Sequence, residues 1–206
     1  MSRQTKWIDT KSPYWFIIKF LLCFFVLYFF FQFYFGVTGK GGRFYSPFLD
    51  AHLNFIKGLT GFLVVPSKYV LQVLDYDVVQ NNYHTLRIGH SRGISVNPSC
   101  LGWKVMSFWV AFVFANAGTW KHKLKWITAG LCAIIVLNIT RIVLITLANH
   151  HKWKPITSLD HHDTFNVLSY GCIFISMFLY VRAQKKYEAI QFYEQPEKRT
   201  ISSVQQ

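Results

Sequence analysis

Residues 15–35 read WFIIKFLLCFFVLYFFFQFYF, and this stretch decides the fold class. It is apolar apart from Lys19 and Gln32, and it has about the length that crosses a bilayer as one α-helix. Lys19 lies near one end, where its long side chain can extend to the headgroups. No small globular core would bury so many aromatic rings. We therefore predict a membrane-spanning helix.

The composition of the whole chain supports a membrane protein. The 206 residues are 52% hydrophobic, 18% aromatic and only 15% charged, whereas soluble domains carry roughly a quarter charged residues. The net charge of +13 then reflects Lys and Arg that flank the spans and meet anionic headgroups. Membrane lipid is the expected partner, and nucleic acid is not.

The fold class predicted from these patterns is an all-α integral membrane protein with a membrane domain at 15–181. Residues 1–14 and 182–206 are predicted to be cytoplasmic tails, the second of them mobile. The first span is too long for a signal-peptide core, and no small-residue cleavage site follows it, so we expect an uncleaved anchor. The spans are predicted at about 15–35, 101–117, 126–148 and 165–181.

Basic clusters give the predicted orientation. Lys121, Lys123 and Lys125 lie between the second and third spans, and the positive-inside rule puts them in the cytoplasm. The loop before the second span is then outside, as is the loop before the fourth. Residues 78–88 in the first of these loops, VVQNNYHTLRI, have the pattern of two short strands around an Asn-rich turn, which predicts a small outer β-hairpin.

The segment 53–74 is apolar but contains Lys57, Pro66 and Lys68. Because the orientation requires an even number of crossings between the first and second spans, we predict that this segment lies at the interface as an amphipathic helix. A re-entrant hairpin kinked at Pro66 is the alternative.

Cys100 is the candidate nucleophile. It follows Asn97 and Pro98, which are typical of a helix start, and so lies in the first helical turn of the predicted second span. Backbone donors and the positive dipole end at a helix N-terminus lower the pKa of a thiol. The other cysteines, Cys23, Cys132 and Cys172, lie within apolar segments and are predicted to be inert.

Arg141 lies inside the third span, where an unpaired charge costs about 2.5 to 3.5 kcal/mol. We expect it to face protein or a water-filled cavity. Asn138 is on the same helical face, where it could support the guanidinium or form an interhelical hydrogen bond.

Histidines at the predicted start of the fourth span complete the set of candidates. His161 and His162 stand beside Asp163, an arrangement that suits a general base. We predict no metal, because the histidines lack the spacing of zinc ligands, and a metal or haem protein is the disfavoured reading. By the predicted topology, thiol, guanidinium and imidazole all lie at the outer face, and together they are the groups that acyl transfer requires.

Three motifs resemble those of the exosortase and archaeosortase family of membrane cysteine transpeptidases. Residues 97–102, NPSCLG, are similar to the nucleophile motif, with Cys100-Leu101-Gly102 where the family usually has Cys-Ser-Gly. Residues 138–142, NITRI, resemble the Asn-x-x-Arg-Ile motif, and His162, four residues before Asn166, resembles the last motif. The resemblance covers roughly 53–181, and this chain resembles a compact member because many members have additional spans.

The resemblance implies an enzyme of the inner membrane that cleaves C-terminal sorting signals of secreted proteins and transfers the proteins to an acceptor. Cys100, Arg141 and His162 would be catalytic, Asn138 and His161 would support them, and no cofactor is needed. The alternative is a non-enzymatic transporter or export-assembly subunit that uses Arg141 to bind an anion.

Overall fold

The structure is a computed structural model that describes residues 13–39, 44–91, 93–97, 101–153 and 161–204; in the last helix, side chains are described for 167–187 and 189. The helices are α1 (Pro13–Thr38), α2 (Pro47–His52), α3 (Phe55–Val73), α4 (Trp103–Ala115), α5 (Trp120–His151) and α6 (His161–Val204). The strands are β1 (Val78–Asn82), β2 (Thr85–Ile88) and β3 (Ile94–Ser95).

Four helical segments in the described residues are long and apolar enough to cross a membrane, which confirms the predicted fold class. Three of them coincide with predicted spans, and the fourth is the α2–α3 region, predicted to be interfacial. The four segments are Tyr14–Thr38, Pro47–Val73, Trp120–His151 and Val167–Tyr187. Length and composition do not separate a helix that crosses the bilayer from one that lies along it, so the interfacial placement of 53–74 stays a prediction.

Helix α3 runs without interruption through Pro66. The alternative of a re-entrant hairpin therefore does not hold for this segment. The helix begins after Asn54, whose side-chain oxygen accepts a hydrogen bond from the Lys57 amide at 2.9 Å. One side of α3 is buried, and it packs against α5 and the sheet. The buried residues of this side are Thr60, Leu63, Val64, Ser67 and Leu71.

The sequence predicted a span at 101–117, but the helix in this region, α4, has only 13 residues and is about 20 Å long. It begins at Trp103, after Gly102, which has a positive φ, and ends at Ala115. Position 100 therefore precedes this helix, and the prediction that Cys100 lies in its first turn is wrong, because the left-handed conformation of Gly102 starts the helix later than Asn97 and Pro98 suggest. Helix α4 packs between α1 and α5, and Trp103 in its first turn contacts aromatic rings of α1, including Tyr28 at 5.3 Å and Phe35 at 5.2 Å between ring centroids. A helix enclosed in this way can be shorter than the bilayer is thick, because protein rather than lipid surrounds most of it.

The predicted hairpin is present, but its turn is formed by Tyr83 and His84 and not by the asparagines. Asn81 and Asn82 belong to β1, where the register shifts between Gln80 and Asn82. A third strand that the sequence did not predict, β3, pairs antiparallel with β2. The sheet packs against α5 and α3.

Two apolar clusters hold the molecule together. The first joins α3, the sheet, the segment before α4 and α5 at the end of the bundle where α4 begins, which we call the site end. The second joins α4, α5 and α6 toward the end where α5 begins, which we call the opposite end. Its buried members are Trp109, Phe112, Val113, Ile134 and Tyr180.

Helix α6 continues to Val204, whereas 182–206 was predicted to be a mobile tail. Residues 182–189 read RAQKKYEA, and most of these residues have high helix propensity, which outweighs their polarity. Gln184 is buried and donates a hydrogen bond from Nε2 to the Ala117 carbonyl at 3.0 Å, so α6 remains packed beyond its apolar part.

Candidate functional site

Asn138 and Arg141 are buried on one side of α5, with 7% and 9% of their surfaces exposed. Residues three apart share a helical face, and this face also carries Ile134, Ile142 and Thr146, all buried. The burial of Arg141 within protein agrees with its predicted placement. Arg141 is engaged in an interaction inside the protein.

Asn138 connects α5 to the turn that precedes α4. Its Nδ2 donates a hydrogen bond to the Leu101 carbonyl at 3.3 Å, and Leu101 is completely buried. Of the two roles predicted for Asn138, the structure shows the hydrogen bond to a neighbouring element. This bond fixes the position of the turn relative to the face that carries Arg141.

Gly102 is required at this turn for two reasons. Its φ is +72°, in the left-handed region that side chains with a Cβ rarely adopt. A Cβ at this position would also overlap the Nδ2 atom of Asn138. The glycine two residues after Cys100 therefore lets the chain turn into α4 and lets the asparagine of the second motif approach the backbone of the first.

Arg141 borders two cavities. The first, which we call the site cavity, is about 70 Å³ and lies between α4, α5 and α6. It is lined by Gly102, Lys104, Val105, Ile134, Leu137, Asn138, Arg141, Ser169, Tyr170 and Ile173. The second is a cleft of about 220 Å³ between β3 and α5, with Ser95 and Asn149 among its lining residues. Arg141 thus faces both the sheet and the beginning of α6.

Cys100 lies outside the described residues, so its predicted role as nucleophile stays a prediction. What the structure does describe is the residue that follows it. Leu101 is buried, its carbonyl accepts the bond from Asn138, and Gly102 lines the site cavity. The two residues that follow the cysteine in its motif therefore contact Asn138 or line the site cavity.

His161 and His162 form the first residues of α6. Their side chains are outside the described part of the structure, and the roles predicted for them stay predictions. The described residues of α6 nearest to them that line the site cavity are Ser169, Tyr170 and Ile173. The beginning of α6 therefore belongs to the same region as Asn138 and Arg141.

A second pair of histidines, His150 and His151, ends α5 and packs against Tyr76. The Tyr76 hydroxyl and Nε2 of His151 are 2.9 Å apart, and the ring centroids of Tyr76 and His150 are 5.6 Å apart. These contacts fasten the end of α5 to the segment before β1. Among the described residues, no group of three or more His, Cys, Asp or Glu side chains is arranged to hold a metal ion.

Sequence reasoning missed Lys104, Ser169 and Tyr170, which line the site cavity. Lys104 is exposed in the first turn of an apolar helix. A charge at such a place is a signal that could have been used. Ser169 and Tyr170 carry no comparable signal, because polar residues at the start of a span are common.

The fold and the site define a multi-pass membrane protein with a polar site between helices near one end of the bundle. A family model described as transmembrane exosortase (Exosortase_EpsH) matches residues 15–179. The match covers most of the chain, and the chain belongs to this family. Family membership suggests a membrane transpeptidase role. Neither the curated proteins nor the solved structures contain a match to the chain.

Proposed function

We propose that the protein is a membrane cysteine peptidase and transpeptidase that acts on C-terminal sorting signals of secreted proteins. The observation that carries this proposal is the hydrogen bond from Asn138 to the Leu101 carbonyl, which joins two of the family-like motifs in space. Cys100 immediately precedes Leu101 in the chain, and Arg141 lies one helical turn beyond Asn138. Gly102, Asn138 and Arg141, which belong to these two motifs, line the site cavity together.

The chemistry assigned to these residues is acyl transfer. The Cys100 thiolate attacks the carbonyl carbon of the scissile peptide bond, and Arg141 stabilises the negative charge that develops on the carbonyl oxygen. The C–N bond then breaks, and the leaving amine takes a proton from the His162 imidazolium. A nucleophile of the acceptor, or water, gives its proton to the imidazole and attacks the thioester, which restores the thiolate.

Helical periodicity favours His162 over His161 as the proton carrier. Position 162 is seven residues before Ser169 and eleven before Ile173, so these three positions share one face of α6. Ser169 and Ile173 line the site cavity. Position 161 shares a face with Leu168 instead, and Leu168 is 58% exposed.

We place the active site on the extracytoplasmic side of the inner membrane. Lys121 and Lys125 are exposed at the start of α5, at the opposite end of the bundle, and the positive-inside rule assigns this end to the cytoplasm. Single cysteines at Asn82 and Lys121, in a chain without its own cysteines, test this orientation. A membrane-impermeant thiol reagent should label only the first in intact cells, and the reverse pattern would contradict the assignment.

Replacement of Cys100 tests the enzymatic proposal. The expected result is that Cys100→Ala and Cys100→Ser both abolish removal of C-terminal segments from secreted proteins, as measured by mass spectrometry of their C-termini. Cys132→Ala is the matched control, because Cys132 is exposed on α5, away from the residues that line the site cavity, and its replacement should leave processing unchanged.

Two results would contradict the assignment. A transporter or export-assembly subunit that binds an anion at Arg141 predicts tolerance of Cys100→Ser, so continued function of that variant would favour this alternative. Loss of processing in His161→Ala but not in His162→Ala would reverse the choice of histidine.

A further inference from the structure

Strand β3 is an edge strand that borders the cleft of about 220 Å³ beside α5. The sheet order is β1-β2-β3, so the sheet pairs only one side of β3. Residues 93–96 all line the cleft, although side chains along a strand alternate between the two faces of a sheet. The cleft therefore runs along the edge of β3 and not under one face of it.

The pairing of β3 with β2 does not use the backbone groups of Ser95. The Val96 amide donates to the His84 carbonyl at 2.8 Å, and Ile94 is the partner of Leu86. Hydrogen-bonded positions alternate along an antiparallel pair, so the N–H and C=O of Ser95 point away from β2. The residues that the structure describes make no hydrogen bond to either group. Within this part of the chain, one donor and one acceptor are therefore available at the edge.

The helix side of the cleft is a stripe along α5. Arg141, Ile145 and Asn149 line it, and their spacing of four residues puts them on one helical face over about 12 Å. An extended chain rises about 3.3 Å per residue, so about four residues of it would fit along this stripe. The slot between strand and helix thus has the dimensions of one short additional strand.

We propose that an extended segment of the substrate, the one that carries the scissile peptide bond, pairs with the outer edge of β3. This inference rests on the proposed function. The carbonyl oxygens within a helix are occupied by internal hydrogen bonds, so a segment that leaves the helical conformation for cleavage needs new partners for its N–H and C=O groups. Ser95 offers one of each, and addition of a strand at this edge would bring the segment beside Arg141.

The chain connects this edge to the proposed nucleophile. Position 100 follows Ser95 by five residues. Leu101 is bonded to Asn138, which lies one helical turn from Arg141 on α5. The same part of α5 thus borders the edge of β3, carries the residue assigned to the oxyanion and binds the end of the nucleophile motif.

Methylation of substrate backbone nitrogens tests the pairing without any change in the enzyme. The cleavage site is first mapped by mass spectrometry of secreted proteins from cells with the wild-type chain and with Cys100→Ala. A synthetic peptide that spans this site is then methylated at one backbone nitrogen at a time, outside the scissile bond. KM should rise about fivefold where the methyl group replaces the N–H that binds Ser95. It should change little at the two neighbouring positions, because their N–H groups point away from β3.

Proline substitution tests the same edge from the side of the enzyme. Ser95→Pro removes the N–H that points to the cleft but no hydrogen bond to β2, and it should raise KM about fivefold with kcat nearly unchanged. Gln80→Pro is the matched control. By the same alternation the N–H of Gln80 points away from β2, at the other edge of the sheet, and Gln80 is absent from the cleft lining. Its replacement should alter neither constant.

The outcomes separate this inference from the proposed function. Equal effects of methylation at adjacent nitrogens, or a normal KM in Ser95→Pro, would overturn the pairing while Cys100→Ala still abolishes processing. If Ser95→Pro does not accumulate in the membrane, the methylated peptides decide, because they are used with the unaltered enzyme. Processing that continues in Cys100→Ala would overturn the proposed function, and the pairing with it.

Discussion

At both ends of α4, a side-chain amide of another helix donates a hydrogen bond to a backbone carbonyl, but the residues around the two bonds differ. At the site end, Asn138 of α5 donates a hydrogen bond to the carbonyl of Leu101, and the next residue, Gly102, has a φ of +72°. At the opposite end, Gln184 of α6 donates to the carbonyl of Ala117. Each end thus combines a side-chain amide from another helix with a backbone carbonyl before a glycine.

The glycine at the opposite end, Gly118, has a φ of +119°, and a Cβ there would come within 2.8 Å of Nε2 of Gln184. Nearby, the hydroxyls of Thr119 and Tyr187 are 3.2 Å apart, and the Tyr187 ring stacks on His122 at 4.5 Å between centroids. These contacts position helices, whereas the site end also carries Arg141 and leads to Cys100. A hydrogen bond from a side-chain amide to a backbone carbonyl therefore positions helices at both ends. Only the neighbouring residues determine whether such a bond also supports catalysis.

The largest difference in activity between variants at the two ends should come from exchanging Arg and Lys, which keeps the positive charge but changes the donor geometry. Arg141→Lys loses the planar fork of donors and should lower kcat/KM about 100-fold or more, as removal of an oxyanion donor does. Lys123→Arg at the opposite end is the control. Lys123 donates to the Phe114 carbonyl at 2.9 Å and lies near the Trp120 ring, contacts that Arg can also make.

Processing rates and membrane levels of both variants measure this prediction. Lys123→Arg should process substrate at close to the normal rate, and both proteins should accumulate normally. Near-normal processing by Arg141→Lys would show that the guanidinium is not needed for the chemistry.

Removing the two amides gives a smaller effect and the sharpest comparison. Asn138→Ala removes the donor from the carbonyl of the buried Leu101 and should cost about 1 to 3 kcal/mol of stability. Gln184→Ala removes the donor from the carbonyl of Ala117, which is exposed and can bind water instead, so it should cost less, about 0.5 to 1.5 kcal/mol. Only Asn138→Ala should also lower kcat, by about tenfold to 100-fold, because small displacements of reacting groups slow catalysis strongly. Thermal unfolding in detergent measures the first effect and single-turnover processing the second.

Equal losses of kcat in the two variants would mean that Asn138 acts only through stability. Asn138→Gln adds a second control, because it keeps the amide but lengthens the side chain next to Gly102. It should not restore activity, since the carbonyl of Leu101 and the Cβ-free surface of Gly102 leave no room for an additional methylene.

Much of the fold could be predicted because bilayer physics acts on short stretches of sequence. The apolar run at 15–35 required a span, and α1 contains it. The two strands predicted within residues 78–88 are present, but the turn was assigned to asparagines that the register shift keeps in β1. The helical continuation of α6 was missed because polarity was given more weight than helix propensity.

The site was predictable only in part. The energetic cost of an intramembrane charge predicted that Arg141 is buried by protein, and the structure agrees. The partner of Asn138 was not predictable, because Leu101 is 37 residues away and offers only a backbone carbonyl. Every residue has such a carbonyl, so no residue type marks the position. Lys104 belongs to the cavity only because α4 starts at Trp103, a boundary set by the conformation of Gly102.

The smallest expected effect is at Tyr187, in the surroundings of the opposite end. Tyr187→Phe removes the hydroxyl that faces Thr119 but keeps the ring that stacks on His122. Because Thr119 is exposed and can bind water instead, the loss should be about 0.5 to 1 kcal/mol of stability. Processing should be unchanged. Thermal unfolding and single-turnover processing of the purified variant test both statements, and a loss of kcat would show that the opposite end is coupled to the chemistry after all.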